Sequence, residues 1–214
     1  KGPEPEIRMD ASNRHAILLA VHRLPDQVRR LASRLRHPRV DLFLHVDAKV
    51  DSAPFQASGL TPVCRRFDVA WNGFGLVALT LDWLRSQGAS GKYSTFTYLS
   101  GQDYPLRPIA EIVDAFDAGE DLLLDTQWSR DPDRHSRWNR FHVTDPRPWV
   151  RLRDRARRKF VPANRGIRRP PTGLEILCGS ALWTLSAESV AWMLAFLENR
   201  PEIEAFFRNT LHSD

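Results

Sequence analysis

The sequence predicts an α/β protein built around a mostly parallel central sheet. Apolar runs of strand length alternate with stretches whose apolar residues recur at helical spacing, and that alternation is the mark of the class. The first three such segments close a strand–helix–strand unit within about 35 residues, which forces parallel pairing and a right-handed crossover. Several strands end in short polar turns that contain an acid, and open α/β sheets receive ligands at the carboxyl ends of their strands.

His15-Ala16-Ile17-Leu18-Leu19-Ala20-Val21 is apolar without interruption after its first residue, as a strand buried on both faces requires. Pro25-Asp26 opens a helix with Val28, Leu31, Ala32 and Leu35 inward and Arg29, Arg30 and Arg34 outward. Val40-Asp41-Leu42-Phe43-Leu44-His45-Val46 is the second strand and ends at Asp47. Residues 51–62 read as a loop with room for a short helix, residues 63–68 as a short strand, and Trp71-Asn72-Gly73-Phe74-Gly75 as a turn. The next helix places Val77, Leu81 and Leu84 on one face, with Trp83 nearby. Residues 96–99 form another strand. Pro108 then sits in the first turn of a helix that turns Ile109, Ile112, Val113 and Phe116 inward. Residues 121–126 supply a further strand. Between 127 and 172 the pattern breaks into Arg- and Pro-rich sequence: a lid, an acceptor-binding insertion or a mobile loop. Residues 182–185 restore a strand, Ser186 caps a helix that runs to Asn199, and Pro201 restarts a short helix toward Phe207.

The 214 residues suit one domain, here residues 14–214, behind a polar leader at 1–13. A chain that is 42% hydrophobic and 27% charged is globular. No apolar run reaches the roughly 20 residues of a membrane span, and no signal peptide is visible. Cys64 and Cys178 are too few for a disulfide framework or a zinc site, so a reducing cytoplasm is the expected setting. The net charge of +5 is unevenly spread: ten basic residues against Asp154 alone lie between 147 and 169. That run reads either as a solvated face or as a surface for a polyanion or for peripheral contact with anionic lipid. Only Trp149 and Phe160 accompany it, too few aromatics for a single-strand binder, so no nucleic-acid partner is expected.

Two strand ends stand out. In His45-Val46-Asp47-Ala48-Lys49 the carboxylate can accept from a uracil N–H or a ribose hydroxyl, or can cap a turn. Tyr98-Leu99-Ser100-Gly101-Gln102-Asp103-Tyr104-Pro105-Leu106-Arg107-Pro108 is an apolar approach, an acidic turn and a restarting proline; an ordinary strand-to-helix loop would look similar. Trp71-Asn72-Gly73-Phe74-Gly75-Leu76-Val77 brings backbone close to a helix start, which suits a polar or anionic ligand. Gly179-Ser180-Ala181-Leu182-Trp183-Thr184-Leu185-Ser186 runs through a strand into a helix. These four segments, in this order, resemble motifs of the core-2/I-branching β-1,6-N-acetylglucosaminyltransferases and the peptide O-xylosyltransferases.

The resemblance implies a GT-A-like fold and inverting transfer of a sugar, N-acetylglucosamine or xylose, from a UDP-sugar donor to a hydroxyl of a glycan or glycoconjugate acceptor. It implies donor-binding roles for His22, Asp47, Trp71, Gly73, Ser100 and Asp103. Glu175 is the expected general base; it precedes Gly179-Ser180 by about two residues fewer than its family counterpart does. Acceptor contacts are implied for Asp125, Arg134, Arg137 and Trp138. The family works without a metal, so no metal or other cofactor is expected. The one Asp-x-Asp triplet, Asp131-Pro132-Asp133, reads as a solvated loop. In the family the basic residues that grip the diphosphate follow the position of Asp214, so either that part of the family domain is missing here or arginines of the 147–169 run take over. The expected setting is polysaccharide or glycoconjugate synthesis in the cytoplasm, peripheral to the inner membrane. The alternatives from other classes are a polyanion-binding module using residues 147–169 and a non-catalytic UDP-sugar binder.

Overall fold

The computed structural model describes residues 13–56, 59–70, 73–123, 127–128 and 169–208. Its centre is strand β1, His15–Val21, which pairs in parallel with β2, Val40–Val46, on one side and with β4, Thr95–Ser100, on the other. β3, Leu60–Pro62, extends the sheet in parallel beyond β2. On the far side β8, Trp183–Ser186, runs antiparallel to both β4 and β5, Leu122–Leu123. The six-stranded order is β3-β2-β1-β4-β8-β5, with β8 alone reversed. A separate antiparallel pair joins β6, Gln127–Trp128, to β7, Leu177–Cys178.

Why β1 occupies the middle follows from its composition. Ile17, Leu19 and Val21 point into one apolar layer and Ala16 and Leu18 into the other, so neither face tolerates water. Helices α1, Pro25–Arg34, and α3, Ile109–Asp117, cover the first face through Val28, Leu31, Ala32, Val113 and Phe116. Helices α2, Gly75–Gly88, and α4, Ala187–Asn199, cover the second through Leu79, Trp83, Leu84 and Val190. A short α5, Pro201–Phe207, packs after α4. The Ser186 hydroxyl accepts from the Ser189 N–H at 3.1 Å and caps α4 as its sequence position implies. Asp121 reinforces the junction by accepting from the Ser186 N–H at 2.7 Å and from the Ser189 hydroxyl.

One edge of the sheet is sealed. At the amino ends of β1, β2 and β4, Asp41 accepts from Arg14, from Lys92 Nζ at 2.6 Å and from the Tyr93 hydroxyl at 2.8 Å. Burial pushes the Asp41 carboxyl up, but those hydrogen bonds outweigh it and hold it at about 2. Beside it His15 Nδ1 bonds Thr95 Oγ1 at 2.9 Å, and Arg39 grips Asp117 with two N–H groups at 3.0 and 2.7 Å.

Several expectations shift. The strand expected at 63–68 lies at Leu60–Pro62, while the following residues run beside β2 without a ladder. Leu79 and Trp83 are buried on α2 with Leu81 and Leu84, whereas Val77 is only half-buried, because this helix is apolar nearly all round. Pro108 precedes α3 with extended backbone instead of lying in its first turn. The stretch from 127 onward, expected to be irregular, contributes Gln127–Trp128 as a strand; residues 129–168 lie outside the described residues.

Leu18, with no exposed surface, and Leu106, 96% exposed, make a matched pair. Leu18→Ala should lower stability by about 2–5 kcal/mol. Leu106→Ala should change it by less than about 0.5 kcal/mol. Chemical denaturation of both variants checks the contrast.

Candidate functional site

The chain leaves β1 on one side to form β2 and β3, then returns to the other side as β4. The order therefore reverses between β1 and β4, and at such a reversal open α/β sheets bind ligands in the crevice outside the carboxyl ends of the strands. Loops from both neighbours lean on the end of β1. The Asp47 N–H donates to the Val21 carbonyl at 2.9 Å, and the Gly101 N–H donates to the Ala20 carbonyl at 3.0 Å. Because β8 is reversed, Tyr98 near the end of β4 faces Trp183 at the start of β8. The Gly179-Ser180-Ala181 segment thus enters the sheet at the same edge.

At the end of β2, Asp47 is 5% exposed. Its Oδ1 accepts from the Lys49 N–H at 2.9 Å and its Oδ2 from Lys49 Nζ at 3.1 Å. The same ammonium donates to Asp68 and to the Val69 carbonyl. Arg66 clamps the backbone of this turn by donating to the carbonyls of Val46 at 3.0 Å, Asp47 at 2.7 Å and Val50. Asp47 therefore sits in a turn whose carbonyls and carboxylate are held by two cations. Two residues before Asp47, His45 is buried, and its Nε2 accepts from the Phe67 N–H at 2.9 Å. That bond requires the neutral Nδ1–H tautomer. Burial, reinforced by the Arg66 and Lys49 charges and only partly opposed by Asp47, lowers His45 to about 4.

The β4 end is a self-bonded turn. The Ser100 N–H donates to Asp103 Oδ2 at 2.6 Å, the Asp103 N–H returns to the Ser100 carbonyl at 3.2 Å, and the Gln102 N–H donates to Ser100 Oγ at 3.2 Å. Ser100 and Asp103 thus shape the loop that lines the crevice. Gly101 lies so close to β1 and α1 that a Cβ would stand 2.7 Å from Val21 Cγ1 and 3.0 Å from Val28 Cγ2. Across the crevice Arg23 donates to Gln102 Oε1 and ties the β1–α1 loop to this one. That first loop carries exposed His22, and Leu24, the one non-glycine residue at positive φ (59°) among the described residues.

Gly73 is buried just ahead of α2, its N–H donating to the Ala70 carbonyl at 3.0 Å. Gly75 presses on the strand-side segment: a Cβ there would meet the Asp68 carbonyl oxygen at 2.5 Å. Glu175 is exposed, two residues ahead of β7, in the segment that feeds β8. No hydrogen bond or ion pair to a described residue holds it. Of the residues singled out from sequence, the structure thus gathers Asp47, Ser100 and Asp103 at one sheet edge, with His22 and Gly73 on loops that lead from or toward it. Trp71, Asp125, Arg134, Arg137 and Trp138 lie outside the described residues, as do Asp131-Pro132-Asp133 and nearly all of the 147–169 run. Sequence reasoning missed Arg66, Asp68 and the Arg23–Gln102 bridge; a paired Arg65-Arg66 beside a strand end was the only local signal for any of them.

With this geometry in place, the comparisons with known proteins can be read. The family model described as "Branch: Core-2/I-Branching enzyme" matches residues 15–213. No curated protein gives a match. The mostly parallel sheet between helical layers is a GT-A-like glycosyltransferase fold.

His45 sets a pH dependence. Its folded value lies below the ordinary histidine value, so between about pH 6.5 and about 4 the unfolded chain binds the extra proton. Stability should be full above pH 6.5 and fall as the pH drops through that window, by roughly 2–3 kcal/mol from this group. Denaturation midpoints measured from pH 7 to 4 should flatten in His45→Gln relative to the unaltered protein.

Proposed function

The chain belongs to the core-2/I-branching enzyme family, a family of glycosyltransferases, and from that premise we propose that it moves a sugar from a UDP-sugar to an acceptor hydroxyl with inversion. The observation that carries this reading is the placement of Asp47, buried and held by Lys49, at the carboxyl end of β2 beside the reversal in strand order. A carboxylate fixed there can accept the uracil N–H, while the Ser100–Asp103 turn and the start of α2 border the space for ribose and diphosphate. The donor sugar is N-acetylglucosamine or xylose and the acceptor a glycan or glycoconjugate.

In the transfer, the acceptor oxygen attacks the anomeric carbon from the side opposite UDP. The bond from that carbon to the diphosphate oxygen breaks, and the hydroxyl proton passes to a general base. Glu175 is our candidate for that base. It is exposed and it stands on the segment that leads into the β8 side of the crevice. The departing diphosphate needs positive charge, and basic side chains supply it in place of a metal. The acceptor is met by Asp125, Arg134, Arg137 and Trp138, whose carboxylate, guanidinium and aromatic groups suit sugar hydroxyls and apolar ring faces.

Calorimetric titration with UDP tests the donor half. Micromolar binding that is unchanged by EDTA and lost in Asp47→Ala is the expected outcome, and EDTA-sensitive binding would contradict the metal-free reading. Turnover with UDP-N-acetylglucosamine or UDP-xylose and a glycan acceptor tests the chemistry. Glu175→Gln should lower kcat about 10²-fold or more while leaving UDP affinity intact. A variant that keeps full turnover removes Glu175 from the mechanism.

A further inference from the structure

The turn that carries Asp47 is joined to a second segment by one side chain. Lys49 Nζ lies among three acceptors: Asp47 Oδ2 at 3.1 Å, the Val69 carbonyl at 2.9 Å and the Asp68 carboxylate. Its backbone N–H meets the other Asp47 oxygen at 2.9 Å. An ammonium has three donors, so this one is fully committed to the protein and none is left over to grip a diphosphate. Partial burial pulls the Lys49 ammonium down, but the hydrogen bonds to Asp68 and Asp47 outweigh it and keep it above the ordinary lysine value. The partners belong to different segments. Asp47 ends β2, whereas Asp68 and Val69 belong to the stretch against which Gly75 and the start of α2 are pressed.

We propose that Lys49 is a positioning residue of the donor site: it fixes both oxygens of Asp47 and couples them to the Asp68–Val69 segment beside α2. The nucleoside of the donor then meets a carboxylate that is already oriented, and less conformational freedom is lost on binding. The assignment rests on the donor reading above. It separates from a purely structural role by what each variant breaks. The Lys49 and Asp68 side chains are 45% and 50% exposed, and an ion pair as open as this adds little to stability, whereas the Asp47 carboxylate on the other side of Lys49 is only 7% exposed. Loss of the ammonium leaves the enclosed Asp47 carboxylate without its cation and should cost stability as well as affinity, whereas Asp68→Asn breaks only the open pair and should be felt in affinity alone.

The test is UDP titration and donor kinetics on the unaltered chain, Lys49→Met, Lys49→Arg, Asp68→Asn and the double variant Lys49→Met/Asp68→Asn. Lys49→Met should weaken UDP binding about 10- to 100-fold, the span expected for hydrogen bonds to a charged group. The donor KM should rise in parallel while kcat at saturating donor changes little, and Lys49→Arg should recover most of the loss. Asp68→Asn should lose less, and the double variant should be no worse than Lys49→Met, because both changes break one tie. The thermal midpoint should move by only a few degrees in Asp68→Asn and fall further in Lys49→Met, which is therefore titrated well below its own midpoint. Lys49→Met binding UDP as tightly as the unaltered chain would overturn the assignment alone, as would independent, additive losses in the double variant. Absence of UDP binding by the unaltered chain would overturn the donor reading and this assignment with it. Asp68→Asn breaks the tie from its other end, so the question is answered even if Lys49→Met fails to fold.

Discussion

Everything in this molecule depends on β1 being apolar on both faces. A strand of that kind is stable only in the middle of a sheet with helices above and below, and its parallel pairing with β2 and β4 follows from the helical crossovers on either side. The chain leaves β1 toward β2 and returns on its other side as β4, so the loops that follow β1, β2 and β4 share one end of the sheet. Asp47, Gly101 and the Ser180 segment did not have to be brought together by a dedicated device. They share this end of the sheet because Asp47 and Gly101 follow parallel strands and the Ser180 segment precedes the reversed one.

The two edges of the sheet show opposite electrostatic solutions. At the amino edge, Asp41 with Arg14, Lys92 and Tyr93, and Asp117 with Arg39, use their charges on one another and close the surface. At the carboxyl edge, the cations Lys49 and Arg66 hold a turn in shape, and the carboxylate between them stays beside the crevice. Burying an ion is costly unless it is paired and hydrogen-bonded, so a carboxylate as enclosed as Asp47 needs Lys49 close by. The neutral, buried His45 underneath completes the support by receiving the Phe67 N–H, which keeps the segment that carries Arg66 and Asp68 against β2.

How much of this was legible depends on whether the signal is local. β1, α1 and β2 could be read closely, since hydrophobic period and the opening proline lie within each element. The Ser186 cap was legible for the same reason. β3 was displaced because an edge strand gains only one ladder: Val63 and Phe67 look more strand-like than Leu60-Thr61-Pro62, yet it is the latter that pairs with β2. On α2 the spacing could not single out Leu79 and Trp83, because apolar residues surround the helix. In the site, Asp47 and the Ser100–Asp103 turn announced themselves as acids at strand ends. The tie from Lys49 to Asp68 spans 19 residues, and the bridge from Arg23 to Gln102 spans 79. No local pattern encodes such contacts, which exist only once the sheet has formed.

A crystal structure of the chain soaked with UDP shows where the nucleoside lies without relying on turnover. The uracil should lie within hydrogen-bond distance of the Asp47 carboxylate, with the diphosphate running past the Ser100–Asp103 turn toward the start of α2. Uracil seated elsewhere, for example in the cavity lined by Val46, Gln56, Leu60 and Arg66 or in the one lined by Pro25, Arg30 and Gln102, would overturn the donor site described above.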